Sequence, residues 1–305
     1  MIIADPLCYC INSIALGDVI AAAPVVKYAV ETFHKNTDYK VLLRSYYWDI
    51  YKSFLPENKL GDQTVIHSFN LPWQIRYLNT PKSKNARTTA MRMHLSSFAS
   101  IQLLDRILPL KTLNYLPLPK VDIDHFDFDI SKAVLIIVTY RDDIRKISLD
   151  AVTEISEWVT KQGLIPVFIG KVDTSEQWAD SPFKLAFDSF PEGVDLVNKT
   201  SLLELASLMA KAKAVVGMDS GNIHVAGTTS VPIVCGFTNV APEHRIPIRK
   251  EGKFVAVQPD VECRHCQSYW LLNYHDFGYC YLKHTKCLQE ITGKKFIKAL
   301  KKVIH

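Results

Sequence analysis

No stretch of this sequence is long, apolar and uncharged enough to cross a bilayer; the best run, Ala133 to Val138, is only as long as a strand. The N-terminus lacks a basic region and carries Asp5 before its first apolar stretch, which argues against a signal peptide. Cytoplasmic residence, with membrane contact at most peripheral, is the resulting expectation. Strong net charge is also missing: the chain carries +5 over 305 residues. Acidic residues are absent from Pro72 to Leu104, where Arg76, Lys82, Lys84, Arg87 and Arg92 lie. Such a stretch is either a solvated loop or a docking surface for an anionic partner. The seven cysteines lack the spread of a disulfide framework. Cys8, Cys10 and Cys235 sit in apolar contexts that suit buried thiols, and the other four crowd between Cys263 and Cys287.

What is present is ordinary globular composition, 48% hydrophobic and 22% charged. The length implies two domains of about 130–160 residues each. The first opens as a strand over Ile2 to Cys10, a loop over Asn12–Gly17 and a helix from Asp18 to Phe33, with further strands at Tyr39–Arg44 and Gln63–Ser68. Strands alternating with helices point to parallel sheet and βαβ crossovers. From Leu71 to Leu118 the pattern loosens, with Pro72, Pro81, Pro109, Pro117 and Pro119 as punctuation, and a short acidic linker follows at Val121–Asp129. We place the division at residues 128 and 129.

The second unit, residues 129–305, starts with a continuous apolar strand, Val134–Thr139, as in a sheet covered on both faces. Ser148 caps a helix running to Gln162, and strands follow at Leu164–Gly170 and Val194–Val197. Ser201 and Glu204 form a capping box for a helix over Leu202–Lys211. Ala214–Gly217 and Val231–Gly236 complete a doubly wound sheet, whose ligands sit beyond the carboxyl ends of the strands. The tail from Leu288 reads as a docking helix: Phe296, Ile297, Leu300, Val303 and Ile304 make one apolar face and five lysines cover the rest.

Two motifs stand out. In Ser13-Ile-Ala-Leu-Gly-Asp18-Val, Gly17 permits a tight turn or close ligand approach, and Asp18 falls at a helix N-terminus, where the dipole favours its carboxylate. Taken alone, Asp18 reads as a helix cap. In Val216-Gly-Met-Asp-Ser-Gly-Asn-Ile-His-Val-Ala226, a buried strand runs through a small-residue loop into a helix. Backbone N–H groups at Ser220, Gly221 and Asn222 would receive a diphosphate, with His224 adding a donor one turn on. The alternative is Asp219 as a cap and His224 as a surface histidine.

The pairing of Ser-x-x-Leu-Gly-Asp-Val with Asp-Ser-Gly-x-x-His-x-Ala resembles glycosyltransferase family 9, the heptosyltransferases of lipopolysaccharide synthesis and their relatives. The resemblance takes in Thr139-Tyr-Arg-Asp-Asp-Ile-Arg-Lys146 and the tail Lys286-Cys287-Leu-Gln-Glu-Ile291. It implies a GT-B architecture, two Rossmann-like domains facing across a cleft. It also implies a basic residue, Arg145 or Lys146, against the donor phosphates, and transfer with inversion. Where the family reads Phe-Gly-Pro-Thr, this chain has Cys235-Gly-Phe-Thr-Asn239, so the donor's identity stays open.

In this scheme Asp18 is the general base that deprotonates an acceptor hydroxyl. The Ser220–Gly221 helix start and the cations balance the departing diphosphate, and no catalytic metal is needed. The acceptor is expected to be an anionic glycan, such as a lipopolysaccharide core, held by Arg76, Lys82, Lys84, Arg87 and Arg92. The rivals are transfer to nucleic acid or protein, and a nucleotide-sugar-binding protein without turnover. Cys263, Cys266, Cys280 and Cys287 contain a Cys-x2-Cys knuckle compatible with a tetrahedral structural zinc or iron site. His265, His275 and His284 are substitute ligands, and four reduced thiols in an irregular loop are the alternative. Some members of the resembling family carry an iron in such a four-cysteine finger.

Overall fold

The computed structural model describes residues 7–11, 16–33, 38–44, 47–62, 74–78, 94–104, 107–173, 183–249, 251–269, 280 and 282–304. The first half contains strands β1 (Leu7–Ile11), β2 (Tyr39–Leu43), β3 (Leu60–Asp62) and β4 (Gln74–Leu78), with helices α1 (Leu16–Phe33), α2 (Trp48–Lys52) and α3 (Leu95–Leu104). The strands form a parallel sheet in the order β3-β2-β1-β4. The expected strand Gln63–Ser68 lies outside the described residues. Within the stretch that gave no clear pattern, the structure places β4 and α3. The physical reason is visible in α3: Leu95 to Ser100 are all buried, serines included, so no apolar stripe alternates with a polar one. α1 is likewise buried along Val19–Val26 and packs against α3.

The second half has strands β5 (Ala133–Ile137), β6 (Thr139–Tyr140), β7 (Ile165–Ile169), β8 (Lys184–Leu185), β9 (Val194–Asp195), β10 (Ala214–Met218), β11 (Ile233–Gly236) and β12 (Phe254–Val257). Its helices are α4 (Leu149–Lys161), α5 (Leu202–Lys211), α6 (Gly221–Gly227), α7 (Cys266–Tyr269), α8 (Lys286–Gln289) and α9 (Gly293–Ile304). Six strands form a parallel sheet in the order β12-β11-β10-β5-β7-β9, while β6 and β8 pair antiparallel beside it. The caps read from sequence are present: Ser148 accepts from Ala151 N, and Ser201 and Glu204 make the reciprocal capping box of α5. The tail is two helices, because the chain breaks between Glu290 and Thr292 before α9 lays Phe296, Leu300 and Val303 against α4 and β12.

Sheet topology fixes where ligands can bind. In the first sheet the winding reverses beside β1, since β2 and β3 lie on one side and β4 on the other. In the second it reverses between β5 and β10. Such switch points open a crevice at the carboxyl ends of the strands. The segments leaving those ends lead to Gly17 and Asp18 after β1, to Arg141–Lys146 after β5, and to Asp219–His224 after β10.

Candidate active site

The two motifs, some two hundred residues apart in sequence, meet through their helix starts. A Cβ added to Gly17 would come within 2.9 Å of His224 Cδ2 and 3.3 Å of Nε2, and one added to Gly221 within 3.1 Å of Leu16 Cβ. Only residues without a side chain let the first turns of α1 and α6 approach this closely. Asp18 stands half-buried in the first turn of α1.

The donor motif lies deep in this junction. Asp219 and His224 are 6% and 2% exposed, so His224 is not the surface histidine of the alternative reading. Arg145 Nη1 lies 3.5 Å from Asp219 Oδ2 and 3.4 Å from its carbonyl, and the same guanidinium pairs with Asp142. Lys146 instead rests 5.4 Å above the Tyr140 ring, so Arg145 is the cation against the donor motif. Ser220 is the N-cap of α6, yet its side chain makes no capping bond and its buried Oγ has no partner among the described residues. An uncapped helix start with an unpartnered hydroxyl suits an incoming anion.

Four residues not singled out from the sequence complete the site: Arg141, inside the Thr139–Lys146 motif, and Arg245, Tyr115 and His94, outside every motif. Arg245, 7% exposed, interacts with both Asp219 and Asp18, and burial pulls its pKa below the ordinary guanidinium value. Arg141 also interacts with Asp18 and is lowered chiefly by burial. Tyr115 Oη lies 2.7 Å from His224 Nδ1. His94 Nε2 bonds the Ile246 carbonyl at 2.9 Å, tying the start of α3 to the segment that carries Arg245. Burial pulls the His224 imidazole from 6.5 to about 4, against the opposing pull of Asp219, so the ring is neutral at neutral pH.

The expected acceptor residues divide. Arg76 lies on β4, opposite Tyr9 in the register, and Lys82, Lys84, Arg87 and Arg92 lie outside the described residues. Cys8, Cys10 and Cys235 are buried free thiols, as their contexts implied. Burial raises Cys266 to about 11 and Cys287 to about 12, with further upward pushes from Cys263 and Cys280 on both. Cys266 and Cys287 thus feel the other two thiols electrostatically. Among the described residues, however, no three or more His, Cys, Asp or Glu side chains are gathered as a metal would require. Of the substitute ligands, His265 is buried with an unpartnered Nε2, His284 accepts from Lys286 N, and His275 lies outside the described residues.

Two parallel α/β units whose switch-point loops face each other have the GT-B arrangement, and that places the chain among the glycosyltransferases in fold. Residues 153–272 match the model of glycosyltransferase family 9 (heptosyltransferase), which bears out the resemblance of its motifs. No curated protein matches it in sequence. Among solved structures it is similar to the iron-containing dodecameric glycosyltransferase TibC from enterotoxigenic E. coli H10407, with a TM-score of 0.71 and 16% identity over 98% of this chain and 76% of that one. TibC in complex with ADP-D-β-D-heptose gives a TM-score of 0.68 at 16% identity over the same shares. A family 9 glycosyl transferase from Veillonella parvula DSM 2008 gives 0.67 at 12% identity over 98% of this chain and 97% of that one. No helix among the described residues is long and apolar enough to cross a membrane.

Proposed function

We propose that the chain moves a sugar of the heptose type from a nucleoside-diphosphate donor, with inversion, to a hydroxyl of an anionic glycan such as a lipopolysaccharide core. The observation that carries this reading is the apposition of the α1 and α6 starts, which sets Asp18 opposite the Asp219–His224 turn. Residues up to 128 would present the acceptor and those from 129 the donor. The ADP-heptose complex of a protein with this fold supports the donor class.

Asp18 takes the proton from the acceptor hydroxyl as its oxygen attacks the anomeric carbon, and the bond from that carbon to the diphosphate breaks. Negative charge then grows on the departing phosphate. Arg145, the Gly221 helix start, Ser220 Oγ and the neutral His224 are placed to receive it, and Arg245 adds a desolvated cation within reach of both carboxylates. Arg141 and Arg245 also interact electrostatically with Asp18. Gly17 lets the base approach the donor turn. Lys146 and the basic residues Arg76, Lys82, Lys84, Arg87 and Arg92 complete the reading on the donor and acceptor sides. Neutralising those five together is expected to raise the acceptor KM and spare donor binding.

Cys263, Cys266, Cys280 and Cys287 would hold a structural zinc or iron. The donor set is chemically suitable, since four thiolates close a tetrahedral site and leave no position for substrate. Cys266 and Cys287 feel the other thiols and carry raised pKa values, so binding a metal there must release protons. A thermal-shift screen against ADP-, GDP-, UDP- and CDP-sugars tests the functional reading. Stabilisation by one nucleotide series is expected, and no shift with any of the four would contradict the donor assignment.

A further inference from the structure

We propose that Tyr115 is a positioning residue for the transfer reaction: its hydroxyl donates to His224 Nδ1 and holds the imidazole in the tautomer that carries its proton on Nε2, at the edge turned toward Gly17. The inference rests on the donor reading of the Asp219–His224 turn and names a residue that no motif marks.

The geometry is specific. Tyr115 Oη and His224 Nδ1 are 2.7 Å apart, with both side chains buried and the ring centroids 5.7 Å apart. Tyr115 is anchored independently of the bond: its backbone N–H donates to the Ile248 carbonyl at 3.0 Å, and its ring lies against Gly227, where an added Cβ would come within 2.9 Å of Cδ2. The tyrosine therefore comes to the histidine on a fixed backbone. Its segment, between α3 and β5, belongs to neither motif.

The direction of the bond follows from counting protons. A neutral imidazole has one N–H and one lone pair, and a phenol has one O–H. If His224 Nδ1 carried the proton, the buried Tyr115 hydroxyl hydrogen would face no other acceptor among the described residues, and a buried orphan donor is costly. With Tyr115 donating, the hydrogen left over sits instead on His224 Nε2, at the edge turned toward Gly17, where a ligand in the junction can accept it. Burial keeps each in the required state, raising the phenol far above neutrality and lowering the imidazole to about 4. The other ring nitrogen then has to carry the proton.

Nε2 is the nitrogen near Gly17, where an added Cβ would lie 3.3 Å from it. An N–H there faces the junction of α1 and α6 and can donate to a phosphate oxygen of the donor. The opposite tautomer would present a lone pair to that anion. Tyr115 thus acts through His224 and need not touch the donor itself.

The test uses the full chain with its histidines labelled with nitrogen-15, His224 being assigned from a His224→Gln variant. In the wild type, Nε2 should be the protonated nitrogen and Nδ1 a hydrogen-bonded acceptor. Tyr115→Phe should move the Nδ1 signal toward that of an unbonded nitrogen and weaken ADP binding about tenfold, the size of one lost hydrogen bond. Protonated Nδ1 in the wild type would overturn the proposal even if the variant failed to fold. So would a folded Tyr115→Phe protein that binds ADP within twofold of the wild type. Failure of the wild type to bind ADP, GDP, UDP or CDP would instead remove the donor reading. That failure is recognisable because it precedes any mutation, and the nitrogen signals would still report the bond's direction.

Discussion

Asp18, Asp219 and His224 are legible in the sequence because each belongs to a local pattern, a strand end followed by small residues and a helix start. Arg245, Tyr115 and His94 are not, because their roles arise from tertiary contacts, and Arg141, though inside the Thr139–Lys146 motif, carried no local signal to set it apart from Arg145 and Lys146. Nothing around Arg245 announces that its guanidinium will be buried facing Asp18 and Asp219. At this scale the neutral, buried His224 gives a pH prediction. Its folded pKa, about 4, lies below the ordinary 6.5, so the unfolded chain binds more protons between those values. The stability contributed by the neutral ring is complete above pH 6.5 and is lost as the pH falls toward 4. Between pH 7 and pH 4.5 the wild type should lose about 2–3 kcal/mol more than His224→Gln, which has no such group. Urea unfolding at both pH values measures this, and equal losses in the two proteins would show that the imidazole is not held neutral.

Elements whose signals are local were read well from sequence: the Ser148 cap, the Ser201–Glu204 capping box and the fully buried β5 all appear where the residues place them. Those whose signals depend on surroundings were not. α3 is buried throughout Leu95–Ser100, serines included, and lacks an amphipathic period, and β12 is four residues that become a strand by pairing with β11 at the sheet edge. The contact between α1 and α6 is also invisible in sequence, although its two glycines are conspicuous there. It predicts an order of severity. Gly17→Ala forces a methyl to 2.9 Å from the held His224 ring, whereas Gly221→Ala meets Leu16 Cβ at 3.1 Å, which the start of α1 can accommodate by a small shift. Gly17→Ala should therefore cost about 1–3 kcal/mol of stability, the usual range for overpacking, and weaken ADP binding, with Gly221→Ala milder in both. Thermal denaturation and ADP calorimetry check this. Gly17→Ala behaving as wild type would mean the helix starts are not in obligatory contact.

In the whole molecule the two switch points and the cysteine-bearing tail are connected. The segment carrying Cys263 and Cys266 is joined to the loop after β11: His265 N donates to Thr238 O at 2.8 Å, Asn239 Nδ2 to Gln267 Oε1 at 2.8 Å, and Ala241 N to Ser268 Oγ at 2.9 Å. That loop continues into Arg245. Replacing Cys263 and Cys266 with serine, or chelating the proposed metal, should lower the melting temperature and, through Arg245, weaken nucleotide binding. Elemental analysis with a thermal melt decides it; below about 0.2 equivalents of zinc plus iron, with an unchanged melt in the serine variant, the metal reading fails. The GT-B architecture was legible because both halves announce parallel sheet and both motifs fall at strand ends. The acceptor was not, since most of the basic residues assigned to it lie outside the described structure. The central claim is that Asp18, across the junction from the Asp219–His224 turn, is the base of sugar transfer. The most direct measurement compares turnover and ADP affinity for Asp18→Asn, using the donor sugar found by the thermal-shift screen. The account predicts wild-type ADP affinity with turnover lower by at least about a hundredfold, a general base's usual contribution. Transfer at close to the wild-type rate by the folded variant would contradict it.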